Sequence, residues 1–74
     1  MKRIIKIEDI VDNSGTIEEY NTPETIRIYL EDPSYWSDDA LIRFEEDGVK
    51  GACYIDEIID QEVLIGEEVF LVEE

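Results

Sequence analysis

The sequence predicts an all-β domain that spans residues 1–74 as a single unit. We expect a small antiparallel barrel or a curved sheet of five or six strands, with at most one short helical turn. Three observations support this fold class. Apolar and polar residues alternate along several short segments, turn sequences separate those segments, and no segment shows sustained helical spacing.

The first and last thirds of the chain each predict a hairpin. Segment 3–11 is rich in isoleucine, and a turn at 12–15 would reverse it into a second strand at 16–20. At the C-terminus, segments 62–65 and 69–72 flank Gly66-Glu67-Glu68, which indicates a short hairpin or a bulged strand.

Residues 25–31 alternate in polarity and predict a strand. Ile26, Ile28 and Leu30 would point inward, and Tyr29 would point outward. Asp32-Pro33 would then end the strand. The best candidate for a helical turn is Ser37-Asp38-Asp39, with Ser37 as the N-terminal cap.

The clearest element is a hairpin centred on Asp47-Gly48. An Asp-Gly pair between two alternating segments, here 40–46 and 49–55, favours a two-residue turn because both residues tolerate a positive φ. The inward pairs would be Ala40 with Ile55, Ile42 with Cys53 and Phe44 with Gly51. The outward pairs would be Leu41 with Tyr54, Arg43 with Ala52 and Glu45 with Lys50.

The charge is the main functional signal. The chain holds 21 Asp and Glu against 6 Lys and Arg, with no His, for a net charge of −15, yet 43% of its residues are hydrophobic. Acids mixed with this much apolar sequence are expected on a folded surface, not in a disordered tail. A solubility role alone explains a net charge of only about 2–8. The excess indicates a basic partner.

The same charge disfavours other partners. Nucleic-acid phosphates and anionic lipids would be repelled, so we expect no direct nucleic acid and no membrane contact. No segment reaches the roughly 18 apolar residues of a membrane span. The single cysteine, Cys53, cannot form an intramolecular disulfide and is predicted on the inward face, which favours a reducing cytoplasm.

Catalytic and cofactor motifs are missing from the sequence. Without histidine, the hydroxyls of Ser14, Ser34 and Ser37 have no usual activating base, and neither a phosphate-binding loop nor a dinucleotide motif is present. We therefore expect no enzyme and no cofactor. A carboxylate-pair hydrolase remains an alternative, although a domain this small has little room for a cleft of about 300 Å³.

A calcium loop around Gly15 is the most serious metal candidate. Aligning Gly15 with the turn glycine of such a loop places Ile10 where the first acid is required and Asn21 where a bidentate glutamate is required. The pattern fails at both ends, and no metal site is predicted.

Acidic strands can imitate a phosphate backbone. Alternate side chains on a strand lie roughly 6.6–6.8 Å apart, about twice the rise of roughly 3.4 Å per phosphate along one DNA strand. Tyrosine and tryptophan are common anchors of interfaces. The predicted partner-binding residues are Tyr29, Asp32, Tyr35, Trp36, Asp38, Asp39, Glu45, Glu46, Asp47 and Tyr54. An alternative for Trp36 is that it folds back and plugs one end of a small barrel.

In size, acidity and lack of catalytic motifs, the whole chain resembles the small inhibitors that phages use against host defences, including anti-CRISPR proteins and other DNA mimics. The resemblance is one of composition and includes no motif. It implies a basic nucleic-acid-binding target, such as a CRISPR effector or another defence nuclease, met in the host cytoplasm and blocked at its basic channel.

Two alternatives from other classes remain open. The first is an immunity or antitoxin protein that neutralises a basic nuclease. The second is a small structural or adaptor module, for example a virion component, that forms a homodimer through exposed strand edges such as 63–65 or 69–72.

Overall fold

A computed structural model describes residues 1–10 and 15–74 and places them in one open, six-stranded sheet with a single α-helix. The elements are β1 (Arg3–Ile10), β2 (Ile17–Tyr20), α1 (Pro23–Glu31), β3 (Leu41–Glu46), β4 (Val49–Tyr54), β5 (Gln61–Ile65) and β6 (Glu68–Val72), with 3-10 turns at Pro33–Tyr35 and Ile55–Glu57. The mainly β character is confirmed. The sheet does not close on itself, so the protein does not form the barrel that was one of the two predicted architectures.

Strand β1 lies at the centre of the sheet. The strand order is β4-β3-β1-β5-β6, and β3 pairs antiparallel with β1 along Arg3–Glu8. The opposite edge of β1 is shared, since β5 pairs with Arg3 and Ile4 while β2 pairs with Ile7–Ile10. The β1–β5 pairing is parallel, so the sheet is mixed and the expectation of a purely antiparallel sheet is wrong.

A β-bulge interrupts β1. Ile4 faces Phe44 and Lys6 faces Arg43, so Ile5 is the extra residue. Because of this extra residue, Ile4 and Ile7 are both buried on the same face although they are three positions apart. Ile5 and Lys6 both lie on the other face.

The Asp47-Gly48 hairpin is confirmed with the predicted register. Ile42 faces Cys53 and Glu45 faces Lys50, and the turn residues have φ angles of 54° and 82°, as a type I′ turn requires.

The two terminal hairpins also form. Strands β1 and β2 pair antiparallel, although predicted turn residues 12–14 lie outside the described part of the chain. Strands β5 and β6 are joined by Gly66 and Glu67 alone, since Ile65 faces Glu68.

The strand predicted over residues 25–31 is wrong, because this segment belongs to α1. Thr22 caps the helix: its Oγ1 accepts from the backbone N of Thr25 at 3.2 Å, and the Thr25 hydroxyl accepts from the backbone N of Thr22 at 3.2 Å. Pro23 occupies the first turn, where its missing N–H costs nothing. A nine-residue helix also exceeds the single helical turn that was expected.

The helix buries a face that alternation does not identify. Ile26, Tyr29 and Leu30 have the i, i+3, i+4 spacing of a helical stripe and are each at most 2% exposed, whereas Ile28 is 47% exposed. Tyr29 therefore points inward, contrary to the sequence-based prediction.

The core lies on one face of the sheet. Its buried members are Ile4, Ile7, Ile26, Tyr29, Leu30, Ala40, Ile42, Cys53, Ile55, Ile58, Val63, Ile65 and Val72. Strand residues supply one side of this core, and the other side comes from residues 21–40 and 55–60, which we call the covering layer. The opposite side of the sheet, which we call the open face, meets solvent. No helix of the described residues is long and apolar enough to cross a membrane.

Candidate protein-binding surface

The covering layer concentrates the negative charge. It carries eight acidic side chains, all exposed, and one basic side chain, Arg27. Arg27 is itself paired with Glu68 of β6. The acids of the layer are Glu24, Glu31, Asp32, Asp38, Asp39, Asp56, Glu57 and Asp60.

The open face has a different charge pattern. Among the described strand residues it carries four bases and four acids, so it is neutral. Arg43 is ion-paired with Glu8, and Lys6 lies 3.6 Å from a carboxylate oxygen of Glu19. The bases are Arg3, Lys6, Arg43 and Lys50, and the acids are Glu8, Glu19, Glu45 and Glu62. This face therefore does not carry the uninterrupted rows of acids along the strands that were expected for a mimic of the phosphate backbone.

Tyr29 organises the loop that follows α1. Its hydroxyl accepts from the backbone N of Ser37 at 3.2 Å, and its backbone oxygen accepts from Nε1 of Trp36 at 3.1 Å. The ring lies 5.0 Å from that of Tyr20 and 6.4 Å from that of Tyr35, between ring centroids. Tyr29 was predicted to contact a partner, but a side chain with no exposed surface holds the loop instead.

The two neighbouring aromatic residues take different positions. Trp36 is half-buried and packs against the core, so it folds back as its alternative interpretation expected, although the sheet forms no barrel for it to plug. Tyr35 is 48% exposed, and its ring is stacked on that of Tyr29, which holds it in place at the surface.

Local hydrogen bonds orient the loop acids. Oδ1 of Asp32 accepts from the backbone N of Ser34 at 3.0 Å, and hydrogen bonds from Ser34 hold the pKa of Asp32 below its ordinary value. The Ser37 hydroxyl accepts from the backbone N of Asp39 at 3.2 Å. Ser37 thus caps a turn at Asp38-Asp39, as predicted, although this turn does not continue into a helix.

A second acidic segment lies at the same end of the β3–β4 hairpin. Tyr54 faces Leu41, so the chain entering β3 from Asp39 and the chain leaving β4 towards Asp56 start side by side. An Oε2 atom of Glu57 accepts from the backbone N of Tyr54 at 2.7 Å. Asp56 and Glu57 were not among the predicted binding residues. The available signal was two acids between isoleucines 55 and 58.

The predicted cluster Glu45-Glu46-Asp47 lies at the opposite end of this hairpin. β3 has six residues, which separates the two ends by about 17 Å. Glu46 is partly neutralised by the N-terminal ammonium at 3.1 Å, and Glu45 faces Arg3 and Lys50 in the sheet. The predicted binding residues therefore form two separate groups. Only the group with Asp38 and Asp39 lies beside further acids of the layer, and exposed Tyr54 points to the open face at this end of the hairpin.

Asp9 is a buried acid behind the loop. Its side chain is 9% exposed, and Oδ1 has no hydrogen-bond partner among the described residues. Burial raises the pKa of Asp9, and the negative charges of Glu18 and Asp39 raise it further, while a hydrogen bond from Ser37 opposes them. Ionised Asp9 therefore carries an electrostatic cost in the folded state.

Within residues 1–10 and 15–74, no group of three acidic or cysteine side chains is placed to hold a metal ion. Burial raises the pKa of the Cys53 thiol, which disfavours the reactive thiolate. No protein-family model matches the sequence, and no curated protein or solved structure is significantly similar to it.

Proposed function

We propose that this protein is a non-enzymatic inhibitor whose covering layer occupies a basic groove of a nucleic-acid-binding protein in place of nucleic acid. The supporting observation is the segregation of charge. Eight exposed acids lie on one side of the molecule with a single, already paired base, while the opposite face is neutral. A field of one sign on one side steers and orients the molecule towards a cationic groove.

The ordered backbone of the acidic loop supports mimicry of nucleic acid rather than binding through net charge alone. The aromatic contacts of Tyr29 and the caps at Asp32 and Ser37 fix the backbone that carries the acids. A preformed arrangement loses less conformational entropy on binding than a flexible polyanion does. The rigid layer should therefore bind a groove of matching shape more tightly than an unstructured chain of equal charge.

An exposed aromatic side chain supplies short-range contacts. Tyr35 is about half exposed and lies in the acidic loop of the layer, whereas Tyr54 points to the open face. Tyrosine rings at interfaces bury a large area for little loss of rotamer entropy. In this proposal the acids accelerate encounter, and Tyr35 slows dissociation. The target class, a CRISPR effector or another defence nuclease, follows from the resemblance in composition and belongs to the proposal.

A competition experiment tests this function. Immobilised protein is used to capture partners from a bacterial lysate at about 50 mM salt, and elution follows at about 500 mM, where charge interactions are strongly screened. The purified partner is then loaded with a fluorescent DNA duplex and titrated with the protein. We expect the fluorescence anisotropy of the duplex to fall to its free value.

The matched control is polyglutamate of the same net charge, −15. We expect it to need at least about tenfold higher concentration to displace the duplex, because it must be ordered on binding. A duplex that stays bound at saturating protein would contradict competition for the nucleic-acid groove. Equal potency of polyglutamate would contradict the role of the fold.

A further inference from the structure

Two acidic side chains oppose each other on the covered side of the sheet. Asp9 of β1 is directly paired with Glu18 of β2 and lies two positions after buried Ile7, on the same side as the core. Directly opposed residues have Cβ atoms about 4.5–5.5 Å apart, and like charges at this distance are destabilising. No lysine or arginine of the described residues offsets the repulsion at Asp9.

The loop that follows α1 adds further oxygen atoms to this pair. The negative charge of Asp39 acts on Asp9, and the side chain of Ser37 donates a hydrogen bond to it. On β2, the hydroxyl of Tyr20 donates to Oε2 of Glu18 at 3.0 Å. Two strands and one loop thus surround Asp9 with carboxylates and hydroxyls.

The buried oxygen of Asp9 is an observation separate from the number of acids. The residue is 9% exposed, and its Oδ1 atom is fully buried without a hydrogen-bond partner among the described residues. Buried polar atoms in native proteins nearly always have a partner, and an exception is often explained by a bound ion or water. A carboxylate oxygen that faces a second carboxylate is a ligand for a hard cation.

We propose that Asp9 and Glu18 bind a hard divalent cation of the Mg²⁺ or Ca²⁺ class. Such ions take oxygen ligands, and Mg²⁺ is commonly held by one or two carboxylates while it keeps several waters. A two-carboxylate site agrees with the finding that no three acidic side chains of the described residues are placed to share a metal ion. Because Glu18 is exposed, the ion stays accessible to solvent and can exchange.

The bound ion would change the energetics of this end of the molecule. It offsets the cost of ionised Asp9, which remains in buffer without divalent cations. It also connects the β1–β2 hairpin to the loop that carries Asp38 and Asp39, so the loop should be more strongly ordered when the ion is bound. The site does not depend on the inhibitor function proposed above.

Paramagnetic broadening of amide signals in nuclear magnetic resonance spectra locates the ion directly. Mn²⁺ prefers the same carboxylate and water ligands as Mg²⁺. At pH 7 and substoichiometric Mn²⁺, we expect the amide signals of Asp9 and Glu18 to broaden before all others, and excess Mg²⁺ to restore them. The amide spectrum also establishes that each variant is folded.

Matched variants separate the site from general attraction to a polyanion. Asp9→Asn and Glu18→Gln each remove one ligand, so each should require at least about tenfold more Mn²⁺ for the same broadening. Asp38→Asn removes the same charge from an exposed turn of the adjoining loop, and its effect should stay within about twofold.

Three results would overturn the site. The first is broadening spread over exposed acids such as Asp32 and Asp56, with equal effects of Asp9→Asn and Asp38→Asn, which would identify an adventitious ion only. The second is the absence of broadening near Asp9 at pH 7, as a protonated carboxyl would give. The third is broadening near Asp9 that excess Mg²⁺ does not reverse. None of these results bears on competition with DNA, so the two proposals fail separately.

Discussion

Nε1 of Trp36 donates a hydrogen bond to the backbone oxygen of Tyr29 at 3.1 Å. The last carbonyl groups of a helix have no partner within the helix, and α1 has no basic residue in its last turn to interact with them. A side chain seven residues further along the chain supplies the donor. The acidic loop is thereby attached to the helix that covers the core.

Removal of the Tyr29 hydroxyl tests a second hydrogen bond that holds this loop, the one that the hydroxyl accepts from the backbone N of Ser37. Tyr29→Phe deletes the acceptor of the Ser37 backbone N–H, so we expect the free energy of unfolding to fall by about 1 kcal/mol. Tyr35→Phe is the matched control, because Tyr35 is about half exposed and its change should be within about 0.5 kcal/mol. Urea denaturation measures both. Equal effects would show that the hydroxyl of Tyr29 does not hold the loop.

Truncation in the core tests the hairpin register. Ile42 is fully buried opposite Cys53, so Ile42→Ala should cost about 2–5 kcal/mol, enough to unfold much of a domain of this size. Ile28→Ala, at an exposed position of α1, should change stability by less than about 0.5 kcal/mol. Thermal melting followed by circular dichroism distinguishes them. Unchanged melting of Ile42→Ala would rule out the register.

Asp9 should make the free energy of unfolding decrease as the pH rises, which is the opposite of the usual effect of an acidic residue. Its pKa is raised in the folded state, so the folded protein binds the proton more tightly than the unfolded chain does. The stabilisation from this proton is complete below the ordinary pKa of 3.8 and is lost as the pH rises through the raised value. Asp9→Asn should therefore stabilise the protein at pH 7, and the gain should vanish at low pH.

The control for this change is Asp38→Asn, which removes the same charge from an exposed turn. Its effect on the free energy of unfolding should be smaller than that of Asp9→Asn at pH 7. Urea denaturation across the pH range measures both variants. A gain from Asp9→Asn that persists below the ordinary pKa, or that Asp38→Asn matches, would contradict the cost assigned to burying this carboxylate.

The sequence correctly predicted those elements that depend on residues close to one another in the chain. Asp47-Gly48 sets the β3–β4 register through turn geometry alone. Residues 25–31 are ambiguous, because a segment of seven residues fits both the period of 2 of a strand and the helical stripe formed by Ile26, Tyr29 and Leu30. The deciding signal was the cap at Thr22 followed by Pro23, which the sequence-based prediction of a strand did not use.

The remaining features depend on contacts between distant segments. The parallel pairing of β5 with Arg3 and Ile4 has no local sequence signature, and the bulge at Ile5 follows from pairing with β3. The same applies to the candidate site. Asp38 and Asp39 were predicted from their own loop, but their proximity to Asp56 and Glu57 exists only because β3 and β4 bring two chain ends together.

The most direct measurement of the central claim is the association rate of two charge-matched variants with the captured partner. One variant neutralises Asp38, Asp39, Asp56 and Glu57 of the covering layer, and the other neutralises Asp47, Glu67, Glu73 and Glu74 outside it, each by amide substitution. At about 50 mM salt we expect the first variant to associate at least about tenfold more slowly than the second, with the difference shrinking at about 500 mM. Equal association rates, or a complex that salt does not weaken, would contradict binding through the covering layer.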